Sequence, residues 1–168
     1  RTRKRFVLIV FRGAAPIARE VRKLGDPCVH LDMEKLPHCD ITDHAVLGTV
    51  VGWIRSREMS AVFLATPAVT FGQSALRSST YPTGVPDLAG AEWKVVSRYN
   101  CVAKAAAQLW TAATDASTPV IEMNLAQSHL WGLGSRIAVK RHPCTSEVAL
   151  DFCSFGGLCR GRTRLVAN

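Results

Sequence analysis

Four short segments of the chain combine glycine, acidic and hydroxyl residues in a pattern that suits a ligand site. They are Phe11-Arg12-Gly13, Asp32, residues 66–72, and Glu122-Met123-Asn124. A glycine lets the backbone approach a ligand closely, and a helix that follows it offers unpaired amides to polar or negative groups. An acid about 20 residues further on suits the two hydroxyls of a ribose. A tight turn with an ordinary exposed aspartate would explain Gly13 and Asp32 equally well.

Each of these segments follows a run of residues that is typical of a buried strand. The first run, residues 6–11, is continuous, apolar and rich in β-branched residues. Helices are predicted in between: one with Pro16 in its first turn and Gly25 after its end, one capped by Asp43, and one over residues 92–113. Further strands are predicted at residues 28–32, 61–65, 119–122, 148–153 and 163–167.

The alternation of strands and helices predicts an α/β fold, with a doubly wound, mostly parallel, Rossmann-like sheet and a C-terminal antiparallel hairpin. In such sheets ligands bind beyond the carboxyl ends of the strands, where the strand order reverses. The four segments fall at those ends. We therefore expect one domain over residues 6–168, after a basic N-terminal extension at residues 1–5, with its site at this edge of the sheet.

The composition favours a polyanionic partner. The 168 residues carry a net charge of +8, and lysine or arginine that neutralises phosphates releases counterions. The alternative is a solvated basic surface without a partner. The chain does not begin with Met, so it could be part of a larger polypeptide, and its oligomeric state is not predicted.

The six cysteines include no CxxC pair, which indicates reduced, intracellular usage and gives no reason to expect a metal site. No apolar run approaches the roughly 20 residues that span a bilayer. We therefore expect no contact with a membrane.

The order of motifs resembles the cytosine-5 DNA methyltransferase-like branch of the class I S-adenosylmethionine-dependent methyltransferases, over nearly the whole chain. Phe11-Arg12-Gly13 resembles the F-x-G cofactor motif of that family, and Asp32 its ribose-binding acid. Residues 66–72 stand in the place of the P-C-x-x-F-S loop. Residues 40–43 resemble the acidic segment near the adenine, and residues 120–124 resemble the E-N-P or E-N-V strand end. Residues 128–131 resemble the S-x-L-W segment, and residues 151–156 and 162–164 resemble the terminal hairpin.

The resemblance implies S-adenosylmethionine as cofactor and nucleic acid as partner. It implies cofactor-binding roles for Phe11, Gly13, Asp32, Asp43 and Thr66, and catalytic roles for Pro67, Thr70 and Glu122. Candidate phosphate-binding residues are Arg77, Arg160, Arg162 and Arg164.

Three departures bear on the chemistry that the resemblance implies. In the family a cysteine thiolate attacks the cytosine ring while a glutamate holds the base. Here Ala68 stands in the place of that cysteine, Ala15 replaces a second glycine of the cofactor loop, and Met123 replaces the asparagine after the glutamate. The losses predict that cytosine-5 methylation is absent.

Two hypotheses follow. The first is a methyltransferase-like domain that acts on or binds nucleic acid and either keeps or has lost the cofactor; methylation of an exocyclic amine would need no nucleophilic cysteine. The second is a non-catalytic nucleic-acid-binding or assembly module that retains the fold, a pseudoenzyme.

Overall fold

The computed structural model of the chain describes residues 5–11, 14–72, 75–151 and 162–168. Over these ranges it is an α/β protein with six strands and four α-helices. The strands are β1 Phe6–Val10, β2 Cys28–Leu31, β3 Met59–Leu64, β4 Val120–Leu125, β5 Ser146–Asp151 and β6 Arg162–Ala167. The helices are α1 Ala15–Lys23, α2 His44–Arg55, α3 Gly90–Asp115 and α4 Gly134–Arg141, with short 3₁₀ helices at Pro37–Cys39 and His129–Gly132.

The strands form one mixed sheet in the order β2-β1-β3-β4-β6-β5. The first four strands in this order are parallel, whereas β6 runs antiparallel to both β4 and β5. The predicted α/β class, mostly parallel sheet and C-terminal antiparallel pair are confirmed. In the sheet, β2 lies on one side of β1 and β3 lies on its other side. The strand order therefore reverses between β1 and β3.

Two apolar clusters lie against the sheet. The larger one joins strand residues such as Leu8 and Val62 to Leu47 of α2 and Leu109 of α3. The smaller one joins Ile9 of β1 to Ala14, next to α1, and Ala18 within it. Successive residues of a strand point to opposite faces, so Leu8 and Ile9 place α1 on one face and α2 and α3 on the other.

Local signals in the sequence account for the helix ends. Pro16 lies in the first turn of α1, and Gly25 adopts a φ of +82° just after it, a conformation that favours glycine. Asp43 is the N-cap of α2, and its carboxylate accepts hydrogen bonds from the backbone N–H groups of Ala45 and Val46. These predicted boundaries are confirmed.

The C-terminal third differs from the prediction. Strand β4 does not end at Glu122 but continues to Leu125, because β6 pairs with it as far as Leu125 opposite Thr163. Strand β5 begins at Ser146 rather than at Val148, and residues 152–153 of the predicted strand lie outside the described residues. Helix α4 was not predicted. No helix in the described ranges has both the length and the apolar character needed to cross a membrane.

Candidate functional site

A cleft of about 620 Å³ lies at the carboxyl edge of the sheet, beside the point where the strand order reverses. The ends of β3 and β4, the first turn of α1 and the segment after β2 surround it. It is lined by Pro16, Glu34, Ala65, Thr66, Pro67, Ala68, Val69, Met123, Asn124, Leu125 and Thr163. This is where an open α/β sheet binds its ligands, and the cleft contains two of the predicted site residues, Thr66 and Pro67.

The turn after β1 holds Phe11 in a strained conformation. Its φ is +78° and its side chain is buried; a bulky residue is rarely found in this region, at a cost of about 1–3 kcal/mol. The Phe11 N–H donates to the carbonyl of Leu31 at 2.8 Å, and His30 Nε2 donates to the Phe11 carbonyl at 3.0 Å. The two bonds fix the backbone at the start of the predicted cofactor loop. Gly13 itself lies outside the described residues.

Asp32 follows β2 at the same edge and is only 3% exposed. Its Oδ1 accepts a hydrogen bond from the backbone N–H of Glu34 at 3.1 Å. Its Oδ2 is buried and has no hydrogen-bond partner among the residues that the structure describes. Burying a carboxylate oxygen without a hydrogen-bond donor costs free energy. Oδ1 of Asp32 accepts a bond within the protein, whereas Oδ2 can still accept one from a ligand.

Thr66 forms the floor of the cleft and is held from two sides. Its Oγ1 donates to Glu122 Oε1 at 2.6 Å, and its carbonyl accepts from Asn124 Nδ2, also at 2.6 Å. Glu122 and Asn124 alternate along β4 and therefore point to the same face. The ends of β3 and β4 are thus joined by side chains as well as by the strand ladder.

Glu122 does not face the cleft. It is 0% exposed and forms an ion pair with Arg136 of α4, whose Nη2 lies 2.8 Å from Oε1 and also donates to the Ala103 carbonyl at 3.2 Å. Glu122 Oε2 and Arg136 Nε and Nη1 are buried without hydrogen-bond partners in the described part of the chain. The carboxylate that was predicted to be catalytic is therefore neutralised within the protein and shielded from any ligand in the cleft.

The predicted catalytic loop is anchored by Arg77, which was predicted to bind phosphate. Its side chain is 3% exposed, and the guanidinium lies over the Phe71 ring, 4.0 Å from the centroid. All five N–H groups donate within the protein, to Thr70 Oγ1 twice, to the carbonyls of Pro82 and Val96, and to Asn100 Oδ1. Burial lowers the pKa of Arg77 to about 10, so it stays charged at neutral pH.

This arrangement gives Arg77 and Thr70 partners within the protein. The charge of Arg77 is enclosed by the loop rather than displayed to a phosphate. The Thr70 hydroxyl is buried and serves as an acceptor for Arg77, away from the residues that line the cleft. Both side chains hold the segment between β3 and α3 in place.

The remaining predicted residues are dispersed. Asp43 caps α2, and its Oδ1 accepts both of the cap hydrogen bonds. Arg164 Nε lies 3.1 Å from Glu147 Oε1, and the Arg164 guanidinium lies 5.5 Å from the Trp131 ring centroid. Arg162 is exposed and stands opposite Asp151 in the β5–β6 register. Arg160 lies outside the described residues.

Among the described residues that line the cleft, Glu34 is the one with a charged side chain. Asp32 lies two positions before it in the sequence. Glu34 also acts on Tyr99: burial raises the pKa of the Tyr99 phenol, Glu34 raises it further, and Arg98 opposes the shift. Such a cleft favours a neutral or cationic ligand over one that presents phosphate. No group of three or more His, Cys, Asp or Glu side chains able to hold a metal occurs in the part of the chain that the structure describes.

Sequence reasoning missed Glu34 and Arg136, and it named Asn124 only as part of a strand-end segment. Glu34 could have been found from its place two residues after Asp32. The bond from Asn124 to the Thr66 carbonyl required knowing that β4 extends beyond Glu122. Arg136 gave no signal, because arginine is almost never fully buried unless it is paired, and the pairing is visible only in three dimensions.

Comparisons of the chain with protein-family models, curated proteins and solved structures gave no match. The geometry of the site therefore carries the functional argument.

Proposed function

We propose that the chain is a methyltransferase-like domain, with a doubly wound Rossmann-like fold, that binds S-adenosylmethionine in the cleft at the carboxyl edge and also binds nucleic acid. Cytosine-5 methylation is not part of its function. The observation that carries the cofactor proposal is Asp32, a nearly buried carboxylate whose Oδ2 has no donor.

Three features of the fold support this proposal. The strand order reverses beside the cleft, the sheet ends in an antiparallel pair, and helices pack on both faces. These are features that the resemblance implies. The strained Phe11 lies directly before the predicted cofactor loop, and backbone strain of this kind concentrates at functional sites.

The cleft also suits the chemistry of the cofactor. A ribose hydroxyl would supply the donor that Asp32 Oδ2 lacks, and the acids Asp32 and Glu34 suit a ligand that carries positive charge. S-adenosylmethionine, when bound, supplies a methyl group on a sulfonium centre. The residues of this chain bind and orient it: Asp32 accepts hydrogen bonds, while Pro16, Pro67 and Met123 offer apolar contact.

Two observations argue against cytosine-5 chemistry. Ala68 lines the cleft at the position where the resemblance implies a thiolate, and alanine offers no nucleophile. Glu122 is neutralised by Arg136 and is not available to hold a base. The loss of the nucleophile at Ala68 and the pairing of Glu122 with Arg136 are independent. Ala68 follows β3, whereas Glu122 lies on β4.

The second candidate function, a non-catalytic nucleic-acid-binding or assembly module, is favoured by the same Glu122–Arg136 pair. It differs from the first in the cofactor: such a module has no need of S-adenosylmethionine. Binding of the cofactor therefore separates the two.

The test is calorimetric titration with S-adenosylmethionine and with S-adenosylhomocysteine. We expect heat of binding for the wild type, loss of that heat in Asp32→Ala, and no change in Asp26→Ala. Asp26 is the matched control, because it is an exposed aspartate shortly before β2. Absence of binding by the wild type would reject the cofactor proposal and leave the second candidate.

A second experiment addresses the chemistry. Ala68→Cys restores the missing thiol, and the variant is incubated with S-adenosylmethionine and an oligonucleotide that contains 5-fluorocytosine. The fluorine at C5 blocks the β-elimination that would otherwise release the thiol from C6. We expect no covalent adduct on a denaturing gel, since Glu122 stays paired with Arg136. An adduct would show that the base pocket is intact and that Ala68 alone accounts for the lost chemistry.

A further inference from the structure

A second concave surface lies on the helical side of the molecule, between α2, α3 and α4. It encloses about 590 Å³ and is separate from the cleft, since the two share no lining residue. Val51, Ala107 and Val139 contribute apolar surface to it. Its polar and charged lining residues include Arg55, Lys104 and His142. We call this surface the helical groove.

The cations of the helical groove are unpaired. Neither Arg55 nor Lys104 has an ion-pair or hydrogen-bond partner within the described ranges, and both are exposed. Three other basic side chains have acidic partners: Lys140 and Arg164 share Glu147, and Arg98 lies 3.8 Å from Asp40.

One acid, Asp115, lines the helical groove beside the two cations. Hydroxyl and amide groups complete the lining, from Gln108, Thr111 and Ser135. Such groups commonly contact phosphate and sugar oxygens. The helical groove is therefore complementary to an anionic chain.

The cleft at the carboxyl edge is less suited to phosphates, because Glu34 lines it and Asp32 lies beside it. Arg77, one of the cations predicted for that role, is buried. The volume of the helical groove, about 590 Å³, is in the range of pockets that hold one small molecule. One nucleotide unit of a single strand fits this range.

We infer that the helical groove binds the sugar-phosphate backbone of single-stranded nucleic acid, with Arg55 and Lys104 as the phosphate contacts. This inference rests on the nucleic-acid half of the proposed function and names the surface that performs it. The cofactor and the nucleic acid then occupy different sides of the protein.

The test is the salt dependence of binding of a short oligothymidylate, measured by fluorescence anisotropy for the full chain and five variants. Each phosphate contact to a single strand contributes about 0.7 to the slope of log affinity against log salt. We expect Arg55→Ala and Lys104→Ala each to weaken binding and to lower the slope by about 0.7. Asp115→Asn should strengthen binding, because it removes the acid of the helical groove.

Lys94→Ala is the matched control, since Lys94 is also an exposed lysine of α3 but does not line the helical groove. It should leave both affinity and slope unchanged. An equal loss in Lys94→Ala would mean that only the net charge matters and would overturn the inference. A loss confined to Arg162→Ala would place the contact on β6 and would overturn it as well.

Failure of the inference can be distinguished from failure of the proposed function. Wild-type binding that survives in both Arg55→Ala and Lys104→Ala rejects the helical groove and keeps nucleic acid as a partner. No binding by the wild type rejects both. Neither result alters the calorimetric test for the cofactor.

Discussion

Arg136 and Glu122 form a fully buried ion pair, with 2.8 Å between Arg136 Nη2 and Glu122 Oε1. Glu122 at the same time accepts the hydroxyl of Thr66 at 2.6 Å. The pair thus links α4 to the floor of the cleft through one carboxylate oxygen. It also removes from the cleft the acid that the sequence presents as catalytic.

Breaking this pair should destabilise the fold. Arg136→Met leaves a buried carboxylate without a cation, and we expect a loss of about 3–5 kcal/mol in the free energy of unfolding. The double variant Glu122→Gln/Arg136→Met removes both charges of the pair and should recover most of that loss. Denaturant unfolding of the three proteins measures both effects. A double variant no more stable than the single one would contradict the assignment of the loss to an uncompensated charge.

Removing Arg77 should loosen the segment between β3 and α3. Arg77→Ala deprives Thr70, Pro82 and Asn100 of a buried donor, and we expect a cost of about 3 kcal/mol. Arg77→Lys should recover little, because an ammonium cannot reproduce the planar fork of five donors.

Limited digestion with chymotrypsin reports this loosening locally. Tyr81 is 46% exposed and lies within the segment, so cleavage after it should be faster in Arg77→Ala than in the wild type. Arg98→Ala is the control, since the Arg98 side chain is 60% exposed and lies 3.8 Å from its acid. Equal cleavage rates in the two variants would show that Arg77 does not anchor the segment.

Tyr99 should make the fold less stable in alkaline solution. Burial, and then Glu34, raise the pKa of its phenol above the ordinary value of 10.0. The folded protein keeps the proton where the unfolded chain has already lost it, so stability falls as the pH rises through about 10 towards the folded pKa. Burial raises the pKa of the Cys28 thiol above 9.0, and Arg22 opposes this shift. Cys28 therefore also lowers the stability of the fold as the pH rises, beginning at a lower pH than Tyr99.

The contribution of Tyr99 can be isolated with two variants. Tyr99→Phe should flatten the alkaline decline in unfolding free energy, whereas Tyr81→Phe, at the one other tyrosine, should not. An unchanged decline in Tyr99→Phe would contradict the raised pKa.

The sequence predicts the features that depend on residues close together along the chain. The apolar run of β1, Pro16 and Gly25 around α1, and the Asp43 cap are local signals, and each predicts its element. The carboxyl-edge position of Asp32 and Thr66 follows from the alternation of strands and helices, because parallel strands end at one edge.

The remainder depends on pairings between distant residues. Strand β4 extends past Glu122 because β6 pairs with it about 40 residues later, and the sequence around Glu122 does not reveal that partner. The burial of Arg77 and Arg136 arises from acceptors on other elements, whereas arginine alone predicts a surface position. The sequence therefore predicts that Asp32 and Thr66 lie at the carboxyl edge, but it does not predict the buried contacts of Arg77 and Arg136.

Binding of a nucleoside cofactor in the cleft at the carboxyl edge can be followed by methyl NMR of the methionines. The chain has three methionines: Met123 lines the cleft, Met59 is buried in the core, and Met33 follows Asp32. With added S-adenosylhomocysteine, the Met123 resonance should shift in a saturable way, Met59 should not, and Asp32→Ala should abolish the shift. A Met123 resonance that does not move at saturating ligand would contradict the account.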